Sequence, residues 1–250
     1  MTEKKGLTWS QAIEKAIVEL GYIATLKQIY VVAPKFKEFK GLTPHKTINE
    51  RVQRDDNLVK LRPGLYGLKN HLDKLPDEYN PYIKKSSEEE NVITHSYIQG
   101  MLVEIGNMHG FKTFSPDKSG LFINKKLGEI ITQSEVPKFT FEHILQSTKY
   151  IDVIWFNERC FPNNVFEIEN STNFRNSLVK FVELQDFVAS MTLIAPKDTS
   201  KTNKFYQEIE KSAFSSIKNR VKFFDYEYVE KLYNHQVASQ QFQSFFKEVI

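Results

Sequence analysis

Between residues 9 and 20 the apolar positions fall at Ala12, Ile13, Ala16, Ile17 and Leu20, one stripe at helical spacing, with Gly21 placed to end the helix. A second short helix is expected from Leu26 to Val32, stopped by Pro34. A third begins after Thr43-Pro44, with Thr43 as cap and Pro44 at the first helical position, and runs to Arg54. Leu58 to Arg62 then alternates as a strand, Pro63-Gly64 turns the chain, and Leu65 to Leu68 returns. Three helices followed by a hairpin predict a winged helix over residues 1–70.

Residues 71–91 read as a linker, because they hold Pro76, Pro81 and the polar run Lys84-Lys-Ser-Ser-Glu-Glu-Glu90. A second domain, residues 92–250, opens on a helix expected near Thr94, with Ile98, Met101, Leu102 and Ile105 on one face. Short strands are expected at Leu121 to Asn124 and at Glu129 to Thr132. Tyr150 to Phe156 and Asn164 to Asn170 are β-branched and aromatic runs joined by a turn-forming segment, so they predict a hairpin. A helix (Phe174 to Phe187), a strand (Met191 to Ala195), a helix (Asn203 to Phe214) and a strand (Val221 to Tyr226) follow, and helical pattern resumes to the end. The whole is an α/β (α+β) chain: a winged helix, then a mixed sheet flanked by helices.

Composition and charge narrow the picture. With 40% hydrophobic residues, 20 Phe and 11 Tyr, the 250 residues can bury a core, and disordered, collagenous and coiled-coil classes are excluded. The single cysteine, Cys160, excludes an internal disulfide or a Cys-rich zinc site and fits a reducing compartment. The polar start and the absence of any apolar run near the ~20 residues of a membrane span predict a cytoplasmic protein without a membrane partner. Charge is uneven: residues 1–70 hold 13 Lys and Arg against 7 Asp and Glu, residues 71–250 hold 21 against 24. A basic N-terminal module suits a polyanion. No glycine-rich nucleotide loop, Gly-x-Ser-x-Gly elbow or Cys/His metal spacing occurs.

Chemistry concentrates on the expected hairpin. Glu167 and Glu169, two apart on a strand, point to one face, and pairing can bring Asp152 beside Glu167. Like charges so close repel unless a cation neutralises them, and a hard divalent metal such as Mg²⁺ is the natural occupant. The plain alternative is a solvated sheet face with Asp152 at a strand end.

Asp152 followed by Glu167-x-Glu169, after a helix carrying Glu104 and before an amphipathic helix and a further strand, resembles the PD-(D/E)xK nuclease superfamily of restriction enzymes over roughly residues 92–226. Phe166-Glu-Ile-Glu-Asn-Ser-Thr172 and Tyr97-Ile-Gln-Gly-Met-Leu-Val-Glu104 look like the corresponding segments of restriction-enzyme-like proteins. The resemblance implies that Asp152 and Glu167 hold Mg²⁺, with Glu104 at the edge of the metal site or merely on the polar side of its helix. The third position, usually Lys, is Glu169 here, which would orient or deprotonate the attacking water. That lysine migrates within the superfamily, so Lys180 is the alternative carrier, or else a surface lysine.

The N-terminal module resembles the HARE-HTH winged helices through Trp9-Ser-Gln-Ala-Ile13, Thr43-Pro-His-Lys-Thr-Ile-Asn-Glu-Arg-Val-Gln-Arg-Asp55 and Leu61-Arg-Pro-Gly-Leu-Tyr-Gly-Leu68. The third helix of such a module enters the major groove, making His45, Lys46, Asn49 and Gln53 candidates for bases, with Arg51, Arg54, Lys60 and Arg62 placed for phosphates. The resemblances together imply a Mg²⁺-dependent, sequence-specific type II restriction endonuclease acting on double-stranded DNA as a homodimer, beside a partner methyltransferase. Two alternatives stay open: a modified-cytosine-dependent endonuclease, and a non-catalytic DNA-binding regulator. The recognition sequence, methylation dependence, cleavage stagger and oligomeric state are not written in the residues.

Overall fold

In a computed structural model of the chain, which describes residues 6–37, 44–62, 64–75, 77 and 79–249 and the side chains of these up to 240, contacts divide the protein into two units. One holds residues 1–85 and 232–250, the other residues 86–231.

In the first unit the opening stripe folds as α1 (Trp9–Glu19), started by a capping box in which Thr8 and Gln11 satisfy each other's backbone N–H groups. Strand β1 (Ile23–Thr25) leads directly into α2 (Leu26–Val32), whose own capping box pairs Thr25 with Gln28. Helix α3 (Pro44–Arg54) precedes β2 (Leu58–Arg62) and β3 (Leu65–Leu68). Thr43 and Pro63, to which the sequence gives cap and turn roles, lie outside the described residues. The three strands form an antiparallel sheet in the order β1-β3-β2. Strand β1 escapes a periodicity search because three residues carry too little of a period-2 pattern. Ala12, Ile13, Ala16, Ile17, Ile29, Ile48, Val52 and Leu65 are buried, as are Leu58 of β2 and Tyr66 and Leu68 of β3. The stretch expected as a linker takes in the end of a 3-10 turn (Lys69–Lys74) and the buried residues Leu75, Tyr79 and Asn80.

The second unit begins with α4 (Ser87–Met108), seven residues earlier than the apolar pattern places it. Its first two turns are polar, so hydrophobic spacing cannot see them. The signal was the Ser86 and Glu89 capping box with three glutamates in the first turn, charges that suit a helix N-terminus. Strand β4 (Lys112–Phe114), the small hairpin β5 (Leu121–Phe122) and β6 (Lys125–Lys126), α5 (Leu127–Ile130) and α6 (Glu142–Thr148) follow. The strand expected at Glu129 to Thr132 is therefore corrected. Glu129 Oε2 accepts the Lys126 N–H at 2.7 Å and closes a helical turn instead.

Strands β7 (Val153–Phe156) and β8 (Pro162–Ile168) form the expected hairpin, then α7 (Phe174–Val182), β9 (Ser190–Ala195), α8 (Thr199–Ile209) and β10 (Val221–Asp225) alternate. The last helix, α9 (Tyr226–Val249), starts in this unit and passes to the first at Leu232. The sheet is five-stranded and mixed, β10-β9-β8-β7-β4, with β8, β9 and β10 parallel and the other pairs antiparallel. Parallel neighbours need crossovers, which α7 and α8 supply. Ile154, Phe156, Val165, Met191 and Leu193 share one buried cluster with Phe174, Leu178 and Phe181 of α7 and Phe205 of α8. On the other side Trp155 donates its indole N–H to the Leu102 carbonyl of α4 at 3.0 Å. The sheet thus lies between α4 and the pair α7/α8, and the start of β7 and end of β8 are gripped from both sides.

Gly106 lets α4 approach that closely. A Cβ there would lie 2.6 Å from Trp155 Nε1 and 2.7 Å from Thr113 Cγ2, inside van der Waals contact. Gly106→Ala is expected to cost about 1–3 kcal/mol through overpacking, seen in calorimetry as a fall in Tm of roughly 2–10 °C. An unchanged Tm would show that the helix can move off the sheet at no cost.

Candidate active site

The register of the β7/β8 hairpin pairs Val153 with Phe166, so Asp152, in a bend one residue before β7, comes opposite Glu167. The Asp152 N–H reaches Glu167 Oε1 at 3.3 Å. Glu167 faces the α7 side and is only 3% exposed. There Lys180 Nζ donates to both of its carboxylate oxygens, at 2.9 and 2.8 Å, and to the Tyr150 carbonyl at 2.7 Å. Asp152 turns its carboxylate toward α4: Oδ2 accepts the Ile168 N–H at 2.7 Å and lies 3.2 Å from His95 Nε2. Gln99 Nε2 stands 3.4 Å from Asp152 Oδ1.

These contacts set the electrostatics. Burial first, and then the charge of Asp152, push Glu167 up to about 8, although the Lys180 ammonium and the Asp152 N–H pull the other way. For His95, burial works to lower the pKa, but the hydrogen bond and charge of Asp152, a bond to the Ile168 backbone and the charge of Asp117 outweigh it and raise it. Burial, and then the charges of Glu169 and Asp152, raise the phenol of Tyr226, whose hydroxyl donates to Asn170 Oδ1.

Of the sequence candidates, Asp152 and Glu167 come together, and Lys180 joins them. Glu169, one residue past β8, continues the ladder through its N–H to the Ile194 carbonyl at 2.8 Å, and its Oε1 accepts the Ser171 N–H at 2.8 Å. Glu104 sits nine residues after His95 on α4, which at 100° per residue is half a turn away from the face that meets Asp152. Among the described residues no three His, Cys, Asp or Glu side chains converge as a metal site. Of the two α4 residues that reach Asp152, Gln99 is the one the sequence reading misses. Its signal was spacing, because it falls four residues after His95 on the same helix as Leu102 and Gly106.

In the first unit, Lys46, Arg51, Gln53, Arg54 and Lys60 are exposed, Asn49 and Arg62 partly so. Gln53 donates to Asn49 Oδ1 at 3.1 Å, and Arg54 pairs with Glu50 at 2.7 Å. The exposure expected of His45 is corrected. Its ring lies 5.2 Å from that of Tyr30, and both ring nitrogens are buried without a hydrogen-bond partner, a burial that lowers its pKa. Positions 45, 48 and 52 form one helical stripe, so His45 belongs with Ile48 and Val52 on the core side.

Residues 75–250 match the family described as the type II restriction enzyme NmeDI C-terminal domain. The chain belongs to this family. It is 28% identical over 152 residues to the type II restriction enzyme NmeDI of Neisseria meningitidis serogroup C, an alignment covering 56% of this chain and 42% of that protein. The chain thus matches less than half the length of this restriction enzyme. No solved structure matches the chain. Asp152, Glu167 and Lys180 all lie within the family segment. Among the described residues no helix is long and apolar enough to cross a membrane.

The buried pair gives a pH dependence with a definite sign. Glu167 titrates higher folded than its ordinary 4.5, so its contribution to stability is complete below about pH 4.5 and is lost as pH rises through about 8. In EDTA, the Tm of the protein is expected to fall between pH 6 and 9 by more than that of Glu167→Gln, whose amide carries no charge to bury. Parallel Tm curves would refute the assignment of Glu167 as a buried, strained carboxylate.

Proposed function

We propose that the chain is a Mg²⁺-dependent, sequence-specific endonuclease that hydrolyses phosphodiester bonds of double-stranded DNA, with a PD-(D/E)xK site. The observation that carries this is the pairing of Asp152 and Glu167 at the mouth of a hairpin, with Lys180 on the same carboxylate, in a member of a restriction-enzyme family.

The donor set fits the metal. Magnesium takes one or two carboxylates and completes its shell with water and substrate phosphate. Two carboxylate groups, one of which is pushed up to about 8 by burial and then by the charge of the other, are a place where positive charge is stabilising. Asp152 and Glu167 would hold the ion, which when bound supplies charge stabilisation at the phosphate and a more acidic water. Lys180, fixed by Glu167 and by the Tyr150 carbonyl, presents a cation where negative charge grows during attack on phosphorus. In this reading Lys180 takes the role of the superfamily's strand lysine, and Glu169 holds the backbone turn at Ser171. The leaving group is the 3′ oxygen.

The first unit's three helices and β2/β3 hairpin support a winged-helix reading, in which α3 carries Lys46, Asn49 and Gln53 to bases and Arg51, Arg54, Lys60 and Arg62 meet phosphates. One site cuts one strand, so double-strand cleavage implies two copies of the chain. A nuclease of this kind also implies a methyltransferase that protects host sites.

The test is incubation with unmethylated and cytosine-methylated plasmids in Mg²⁺ or EDTA, with sequencing of the ends. Discrete Mg²⁺-dependent fragments are expected, and Asp152→Asn is expected to abolish them while keeping DNA affinity within about twofold, since affinity comes from phosphate contacts. Binding without cleavage by the unaltered protein would instead favour a regulator. Separately, Arg51→Ala should weaken binding to all sequences alike and reduce the slope of log affinity against log salt by about 0.9. A slope that does not change would remove Arg51 from the interface.

A further inference from the structure

Two residues of α4 end on Asp152 and are used by nothing above. His95 Nε2 is 3.2 Å from Asp152 Oδ2, and Gln99 Nε2 donates to Asp152 Oδ1 and to its carbonyl, each at 3.4 Å. Being four residues apart, they stack on the face of α4 that is turned to the sheet. With the Ile168 N–H at 2.7 Å, both carboxylate oxygens of Asp152 are held. Asp152 needs such holding, because it sits in a bend outside the β7 ladder, where strand pairing does not fix its side chain.

Gln99 shows that stability alone does not explain the arrangement. It is 1% exposed, and its Oε1 is buried without a hydrogen-bond partner. A buried acceptor left unpaired costs about 1–3 kcal/mol, and its neighbours Ile98, Met101, Leu102 and Val103 show that this stretch of α4 is otherwise apolar. An apolar residue would avoid that cost. What an apolar residue lacks is the N–H that Gln99 gives to Asp152.

We propose that His95 and Gln99 form a clamp that fixes the Asp152 carboxylate before a divalent cation arrives and thereby sets the cation affinity of the site. They are positioning residues, acting through Asp152, and the inference rests on the reading of Asp152 as a holder of the ion. A carboxylate already oriented loses less rotational freedom on binding, and partners of metal ligands are commonly worth 10–100-fold in affinity.

The experiment is titration of the full chain with Mn²⁺ alone, read by electron paramagnetic resonance without DNA, across Asp152→Asn, Gln99→Met, His95→Asn and His95→Gln. Gln99→Met keeps the volume and deletes the donor. His95→Gln puts an amide N–H near the place of Nε2, whereas His95→Asn puts it near Nδ1. Asp152→Asn should lose the high-affinity site. Gln99→Met and His95→Asn should each weaken it roughly 10–100-fold, and His95→Gln should recover most of the loss. In cleavage assays the same variants should raise the Mg²⁺ concentration for half-maximal rate more than they lower the rate at saturating Mg²⁺. If Asp152→Asn loses the ion while Gln99→Met and His95→Asn bind as the unaltered protein does, the clamp is wrong and Asp152 keeps its role. If His95→Gln binds as poorly as His95→Asn, the positioning role of Nε2 is overturned. If Asp152→Asn also binds normally, both the clamp and the reading beneath it fail. Should Gln99→Met not fold, the two histidine variants, equal in polarity, decide between them.

Discussion

A carboxylate that is 3% exposed, next to a second carboxylate, is tolerated inside a protein only where positive charge or hydrogen-bond donors meet it. Glu167 is that carboxylate, and much of the second unit is arranged around it. The β7/β8 hairpin brings Asp152 to it, α7 supplies Lys180, and α4 supplies donors to the partner Asp152. Helix α7, the crossover between β8 and β9, packs on the sheet face opposite α4, so Lys180 arrives from that face. Lys180 of α7 and His95 and Gln99 of α4 therefore approach the two carboxylates from opposite sides of one sheet.

In the proposed reading of the site, this accounts for an acid at position 169, just past β8. A lysine at 169 would share the sheet face with Glu167, but α7 already delivers an ammonium to that face. Glu169 is then free to serve the backbone at Ser171. Its charge is still felt nearby, since it helps raise the phenol of Tyr226, which in turn donates to Asn170. Asn170 also donates to the Asn91 carbonyl at 3.1 Å, and Lys201 Nζ donates to the Asn170 carbonyl, so the chain just beyond Glu169 is tied to α4, α8 and α9.

The hairpin and its acids were legible because β-branched and aromatic runs broken by Asp and Glu are rare in a sheet core, and register follows from pairing alone. The helices with an apolar stripe were legible for the same reason of period. What the residues did not announce was whatever lacks a period: the three-residue β1, the polar first turns of α4, and the helical turn at Leu127–Ile130. Within the site, Lys180 could be named but not placed, since its distance from Glu167 depends on how α7 packs on the sheet. The polar character of His45 suggests a surface group, whereas its spacing to Ile48 and Val52 marks it as inward. For Glu104 the sequence offers both the edge of the site and the polar side of its helix, and its angle along α4 sets it half a turn from His95, which meets Asp152. The family segment begins at residue 75, so the DNA-reading role proposed for α3 rests on the first unit's own arrangement.

The most direct measurement is single-turnover DNA cleavage in saturating Mg²⁺ by Lys180→Met beside Glu169→Gln, on any DNA the unaltered chain cuts. If the ammonium from α7 stabilises charge at the phosphate, Lys180→Met slows the chemical step by roughly 10²–10³-fold and Glu169→Gln by less than about tenfold, a single lost electrostatic donor being of the former size. The reverse ranking, with Glu169→Gln inactive and Lys180→Met close to normal, would contradict the account and return the third role to the strand.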